Sequence, residues 1–244
     1  MSKKFTWNEN WKFTKDAVTV SDKTTSAGNW ETLDLPHTWN GEDGQDGGSD
    51  YYRGTCYYAK NLSKAEVAEG KEVYIEFEAA NSSAELFVNG ESVAKHDGGY
   101  STWRANITPY LKDENEIVVA VDSAPNDYVY PQNADFTFYG GLYRKVSLIL
   151  VDETRFDLDY YGGPGIMVTP KPTEDGGADF TVQAFVTNAG DDFTVQYILE
   201  DPYGWEIAGA VRPSDNTAVT LHVPEAVLWS MDEPNLYTVT ARLN

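Results

Sequence analysis

The stretch Ser83-Ala84-Glu85-Leu86-Phe87-Val88-Asn89-Gly90-Glu91-Ser92-Val93-Ala94 decides the fold class. Ala84, Leu86 and Val88 recur with period two, the spacing that puts apolar side chains on one face of a β-strand. Asn89-Gly90 then supplies two residues that accept positive φ, as a type I′ turn demands, so the stretch predicts a β-hairpin. Immediately upstream, residues 71–78 alternate in the same way, with Val73, Ile75 and Phe77 on one face and Tyr74, Glu76 and Glu78 on the other, which predicts a half-buried strand.

Working outward, the runs 116–121 and 145–151 read as further strands. A single short helix is expected over 63–69, where Ser63 can cap a run of Ala and Glu. Residues 152–172 carry three Gly and three Pro among charges and few regular signals, so a domain boundary is placed near residue 153. Four more alternating runs follow at 180–186, 193–199, 219–223 and 237–243. The chain is therefore expected to be all-β: a larger jelly-roll β-sandwich over 1–152 and an immunoglobulin-like β-sandwich over 153–244.

Thirty-nine acids against eighteen bases leave a net charge of −21, which repels phosphate backbones and anionic lipid surfaces and argues against nucleic-acid or membrane partners. No run approaches the ~20 apolar residues of a membrane span, and the first residues lack an apolar signal core, so a cytoplasmic protein is the expectation. Cys56, the sole cysteine, cannot form an intramolecular disulfide and reads as a small buried strand residue.

Metal and cofactor chemistry finds little footing. His37, His96 and His222 are scattered, no phosphate loop or nucleophile elbow occurs, and neither a metal nor a cofactor is expected. The acidic run 41–50 fails the spacing of a calcium loop. At its end Asp50 and Tyr51 can line a sugar pocket, since aromatic faces beside acids suit sugar rings, although core or strand-start positions are the commoner explanation of Tyr51 and Tyr52. Glycoside hydrolysis needs two convergent carboxyl groups. The acids here lie in loops or on the polar faces of strands, so no catalytic residue is assigned.

The order of short motifs resembles the N-terminal portion of glycoside hydrolase family 2, the β-galactosidases, β-glucuronidases and β-mannosidases. The motifs are Leu35-Pro36-His37-Thr38-Trp39-Asn40, Tyr52-Arg53-Gly54-Thr55-Cys56-Tyr57-Tyr58, Leu86 to Gly90, His96-Asp97-Gly98-Gly99-Tyr100, Asp135 with Tyr139 to Arg144, and Leu228-Trp229-Ser230 with Pro234 to Tyr237. The acidic loop and the Tyr51-Tyr52 pair are most similar to the β-galactosidase type. This resemblance implies a jelly-roll sugar-binding domain and an immunoglobulin-like domain that complete the pocket of a (β/α)₈ barrel. The barrel, which carries the catalytic glutamates, is not in this sequence, so the chain alone is expected to be inactive. The implied partners are that barrel and a β-linked sugar, a galactoside first. Asp135, nine residues before Arg144, is implied to accept hydrogen bonds from substrate hydroxyls; on the residues alone it reads as a loop acid paired with Arg144. A stand-alone carbohydrate-binding module is the alternative.

Overall fold

The computed structural model describes residues 3–21, 23–26, 28–42, 51–67 and 72–244. The chain divides into two compact units, Met1–Asp152 and Glu153–Asn244. The helical elements among the described residues are three 3₁₀ turns at Thr24–Ser26, Lys64–Glu66 and Thr108–Tyr110. Only the start of the helix expected over 63–69 is formed, with Glu66 Oε1 accepting the Ser63 N–H at 2.8 Å; residues 68 and 69 lie outside the described residues.

The first unit contains β1 (Lys3–Thr6), β2 (Trp11–Thr14), β3 (Glu31–Leu33), β4 (Thr55–Ser63), β5 (Glu72–Phe77), β6 (Ser83–Val88), β7 (Glu91–Asp97), β8 (Trp103–Asn106), β9 (Glu114–Asp122) and β10 (Val146–Val151). They form a six-stranded sheet, β3-β2-β4-β9-β6-β7, and a four-stranded sheet, β1-β10-β5-β8. From β4 onward the chain moves back and forth between the sheets, which is the interleaved path of a jelly roll. Both sheets feed one buried cluster that includes Trp11, Tyr58 and Leu86 from the first and Ile75, Phe77 and Leu148 from the second.

The predicted hairpin is β6–β7. Asn89 (φ 53°) and Gly90 (φ 84°) both adopt positive φ, and Val88 pairs with Glu91 across the turn. Residues 71–78 depart from the half-buried strand expected of them. β5 is interior to its sheet, and Tyr74 and Glu76 are as buried as Val73, Ile75 and Phe77. Glu76 is tolerated inside because Lys4 and Arg104 both pair with its carboxylate, and these contacts lower its pKa against the cost of burial.

The second unit contains β11 (Arg155–Phe156), β12 (Ile166–Pro172), β13 (Ala178–Ala184), β14 (Val186–Thr187), β15 (Thr194–Glu200), β16 (Glu206–Pro213), β17 (Val219–Val223) and β18 (Thr238–Leu243). Sheets β12-β13-β17 and β16-β15-β18 enclose a core of Phe180, Val182, Tyr197, Leu199 and Leu221, and β11 pairs with β14. This is a small immunoglobulin-like sandwich without a disulfide. The run 180–186 is not one strand: at Phe185 the amide donates to Gly165 O at 2.8 Å and the carbonyl accepts from Asp157 N at 2.8 Å, so the chain changes partners there.

Candidate functional site

Three of the motifs quoted above, 35–40, 52–58 and 96–100, far apart in sequence, converge on the segment that carries a fourth, 139–144. Residues 138–144 cross the end of the first sandwich and are tied down from several sides. Asn40 is fully buried; its Oδ1 accepts the Gly140 N–H at 2.8 Å while its Nδ2 donates to Tyr52 O at 3.2 Å. Asn81 and Gly141 exchange backbone hydrogen bonds at 3.1 and 3.2 Å, and Asn81 Nδ2 donates to Tyr139 O at 2.8 Å. The His37 N–H donates to Leu142 O at 2.9 Å. Buried polar groups are thus satisfied reciprocally, which fixes the backbone path.

His37 and Trp39 belong to this anchor. The His37 ring lies 4.6 Å from Phe13, and Nδ1 is 2.8 Å from the Tyr58 hydroxyl. Tyr58 Oη also accepts the Leu142 N–H at 3.4 Å, so the tyrosine proton is free to point at His37 Nδ1. Burial, helped by the charge of Lys15, holds the imidazole neutral down to about 4. Cys56 is buried on β4, and burial pushes its thiol up to about 12. His96 stacks on Trp103 at 5.3 Å, and His222 meets Asp179 at 2.7 Å in the second unit. Among the described residues no group of three His, Cys, Asp or Glu gathers to hold a metal ion.

Glycines make the close approaches possible. A Cβ on Gly140 would stand 2.4 Å from Trp39 Cζ2, and one on Gly99 would stand 2.4 Å from both Asn81 Oδ1 and the Tyr130 hydroxyl. The Gly98–Gly99 turn is joined to the same segment: Tyr143 Oη donates to Gly99 O, and Arg144 Nη1 donates to Tyr100 O at 3.1 Å.

Asp135 stands just before this anchored segment, exposed in a bend. Among the described residues its carboxylate has no hydrogen-bond or ion-pair partner. Arg144 forms no ion pair with it; Arg144 Nη1 donates to Tyr100 O at 3.1 Å. Phe136, the residue after Asp135, ends a row of rings, Tyr100 on Tyr130 at 5.0 Å, Tyr130 near Phe138 at 6.0 Å and Phe138 on Phe136 at 4.9 Å, whose outer members are 50 and 61% exposed. A free carboxylate with its lone pairs available, next to flat apolar faces, can accept sugar hydroxyls while rings cover C–H faces. Tyr51 is half-buried, its ring 4.7 Å from the Arg53 guanidinium and its hydroxyl donating to Phe138 O. Asp50 and residues 43–49 of the acidic loop lie outside the described residues.

Sequence reasoning missed Asn81, Tyr130 and Gln132, and it gave Asn40 and Arg53 no role of their own. Asn40 and Arg53 lay inside quoted motifs, and a polar residue in an otherwise aromatic run was the available signal. Asn81 carried none.

Residues 44–151 match the family model described as glycosyl hydrolases family 2, sugar binding domain, and residues 165–244 match that of glycosyl hydrolases family 2. The chain is 51% identical, with a TM-score of 0.84, to the crystal structure of an FMN-binding β-glucuronidase from Faecalibacterium prausnitzii L2-6, covering 100% of this chain and 37% of that one. It is 31% identical over 191 residues to a β-glucuronidase of Bacteroides fragilis, covering 78% of this chain and 26% of the relative. A β-galactosidase of Thermoanaerobacter pseudethanolicus is 30% identical over 229 residues, 88% of this chain and 29% of the relative. The chain thus spans little more than a third of the length of these proteins at most. The converging motifs, the two sandwiches and the two matched models agree: the chain belongs to glycosyl hydrolases family 2.

Proposed function

We propose that this chain is the non-catalytic sugar-binding portion of a retaining exo-β-glycosidase, in which Asp135 accepts hydrogen bonds from hydroxyls of the substrate sugar. The observation that carries the reading is the contrast at Asp135: an exposed carboxylate, unpartnered among the described residues, beside a segment that is pinned from several sides. The two catalytic carboxyl groups belong to a (β/α)₈ barrel that completes the pocket. A β-glucuronide is the first substrate, because the 51% identical structure bears the name of a β-glucuronidase. A β-galactoside is the second reading, favoured by the β-galactosidase match and by a net charge of −21 that opposes an anionic sugar at long range.

The test is hydrolysis of nitrophenyl β-glucuronide and nitrophenyl β-galactoside by the glycosidase that carries this chain, with and without Asp135→Ala. A large loss of kcat/KM on the better substrate supports the assignment. Unchanged turnover, or tight glycan binding by the chain alone at well below millimolar concentration, turns the reading toward a stand-alone binding module.

A further inference from the structure

Between β9 and β10 the chain runs for 23 residues, 123–145, without a strand or helical turn. A segment of that length holds one shape only if outside contacts offset its conformational entropy. Asn40, Asn81 and His37 hold its second half. The half that leads up to Asp135 is tied by Asn126 Nδ2 to Ser83 Oγ at 3.2 Å and by Tyr130 Oη to Asn81 Oδ1 at 3.0 Å, and nearest to Asp135 by Arg53.

Arg53 lies two residues before β4, and its neighbour Gly54 is tied to the end of β9, where the Ser123 N–H donates to Gly54 O at 3.1 Å. From this fixed root the guanidinium reaches Ser123 O at 3.3 Å, Gln132 O at 3.3 Å and Gln132 Oε1. Its faces meet the rings of Tyr51 at 4.7 Å and Phe138 at 5.9 Å. One cation therefore grips the chain three residues before Asp135 and three residues after it. The Nε2 of Gln132 is buried without a hydrogen-bond partner among the described residues, so the oxygen side of that carboxamide, bound to Arg53, sets its place. A planar fork that also stacks on aromatic rings suits this task, and a lysine point charge does not.

We propose that Arg53 is a positioning residue for substrate recognition: gripping Gln132 and Phe138, it sets where the Asp135 carboxylate stands. The inference rests on the Asp135 reading above, and the test separates the two. In the glycosidase that carries this chain, kcat/KM is measured for wild type, Arg53→Met, Asp135→Ala and the double variant. Arg53→Met is expected to lower kcat/KM by roughly ten-fold or more through misplacement of the carboxylate, and by less than about two-fold when Asp135 is already alanine, since nothing is left to position. Equal losses in both backgrounds overturn the proposal and leave the Asp135 reading standing. A neutral Asp135→Ala removes both. Should Arg53→Met fail to fold, Arg53→Lys carries the same comparison. A second measurement uses the chain itself: chymotryptic cleavage after Phe136 under native conditions is expected to accelerate several-fold in the Arg53 variant, and an unchanged rate overturns the proposal.

Discussion

The carboxamide of Asn40 receives the amide of Gly140 at 2.8 Å across a hundred residues of sequence. Asn40 closes the junction by donating its own N–H to Tyr52 O, so one buried side chain couples the start of the Tyr52–Tyr58 motif to the Gly140–Gly141 turn. Replacing it with leucine leaves the Gly140 N–H unpaired in a buried site, a cost of about 1–3 kcal/mol. For a domain of this size that lowers Tm by roughly 3–10 °C. Calorimetry on Asn40→Leu checks this, and an unshifted transition would show that water or another group takes the bond.

Gly140→Ala drives a methyl into Trp39, which is 6% exposed and stacked over Phe13 at 6.1 Å, so the indole has nowhere to move. Overpacking of this kind costs about 1–3 kcal/mol. Gly190 offers the control. Nothing lies within 4 Å of a Cβ placed there, and Gly190→Ala should stabilise by about 0.4–1 kcal/mol through the unfolded chain. Chemical denaturation of the two variants should move the midpoints in opposite directions.

His37 makes stability depend on pH. In the folded chain the imidazole stays neutral down to about 4, whereas in the unfolded chain it takes a proton near 6.5. Its contribution is complete above 6.5 and is lost as pH falls from 6.5 to about 4, because over that window the unfolded state binds the extra proton. One proton sets a ceiling of about 1.4 kcal/mol per pH unit, and partial contact with solvent keeps the slope below it. Unfolding free energies at pH 7 and pH 5 should differ less in His37→Gln than in wild type; identical differences would remove His37 as the source.

On the proposed role, Asp135→Ala should act on catalysis and hardly on folding, since the side chain is exposed and has no partner among the described residues. On the proposal that Asp135 accepts sugar hydroxyls, a glycosidase carrying this chain loses about 1.5–3 kcal/mol for each charge-assisted bond removed, or roughly ten- to 150-fold in kcat/KM. Asp135→Asn should fall between, keeping an acceptor and losing the charge. A Tm moved by many degrees would mean that the activity loss comes from unfolding.

The hairpin at 83–94 was legible because its determinants are local: alternation in β6 and two residues that tolerate positive φ. Glu76 was misread for the opposite reason. Alternation assigns a glutamate to solvent, and only the arrival of Lys4 and Arg104, 72 and 28 residues away, makes its burial tolerable. The break at Phe185 was hidden because its hydrogen bonds to Gly165 and Asp157 leave no mark on side-chain periodicity. At the site, motif order singled out Asp135, but the contacts that hold its segment run from side chains to distant backbone, as between Arg53 and Gln132, 79 positions apart. Such pairings carry no periodic signature.

The sealed thiol of Cys56 makes the protein simple to label. The chain has no other cysteine, and with burial pushing this one up to about 12, its thiol stays protonated and unreactive in neutral solution. A cysteine introduced by Thr137→Cys, two residues beyond Asp135, would be the one thiol that a maleimide meets readily. A fluorophore placed there reports on the Asp135 segment without removing the native cysteine from the core.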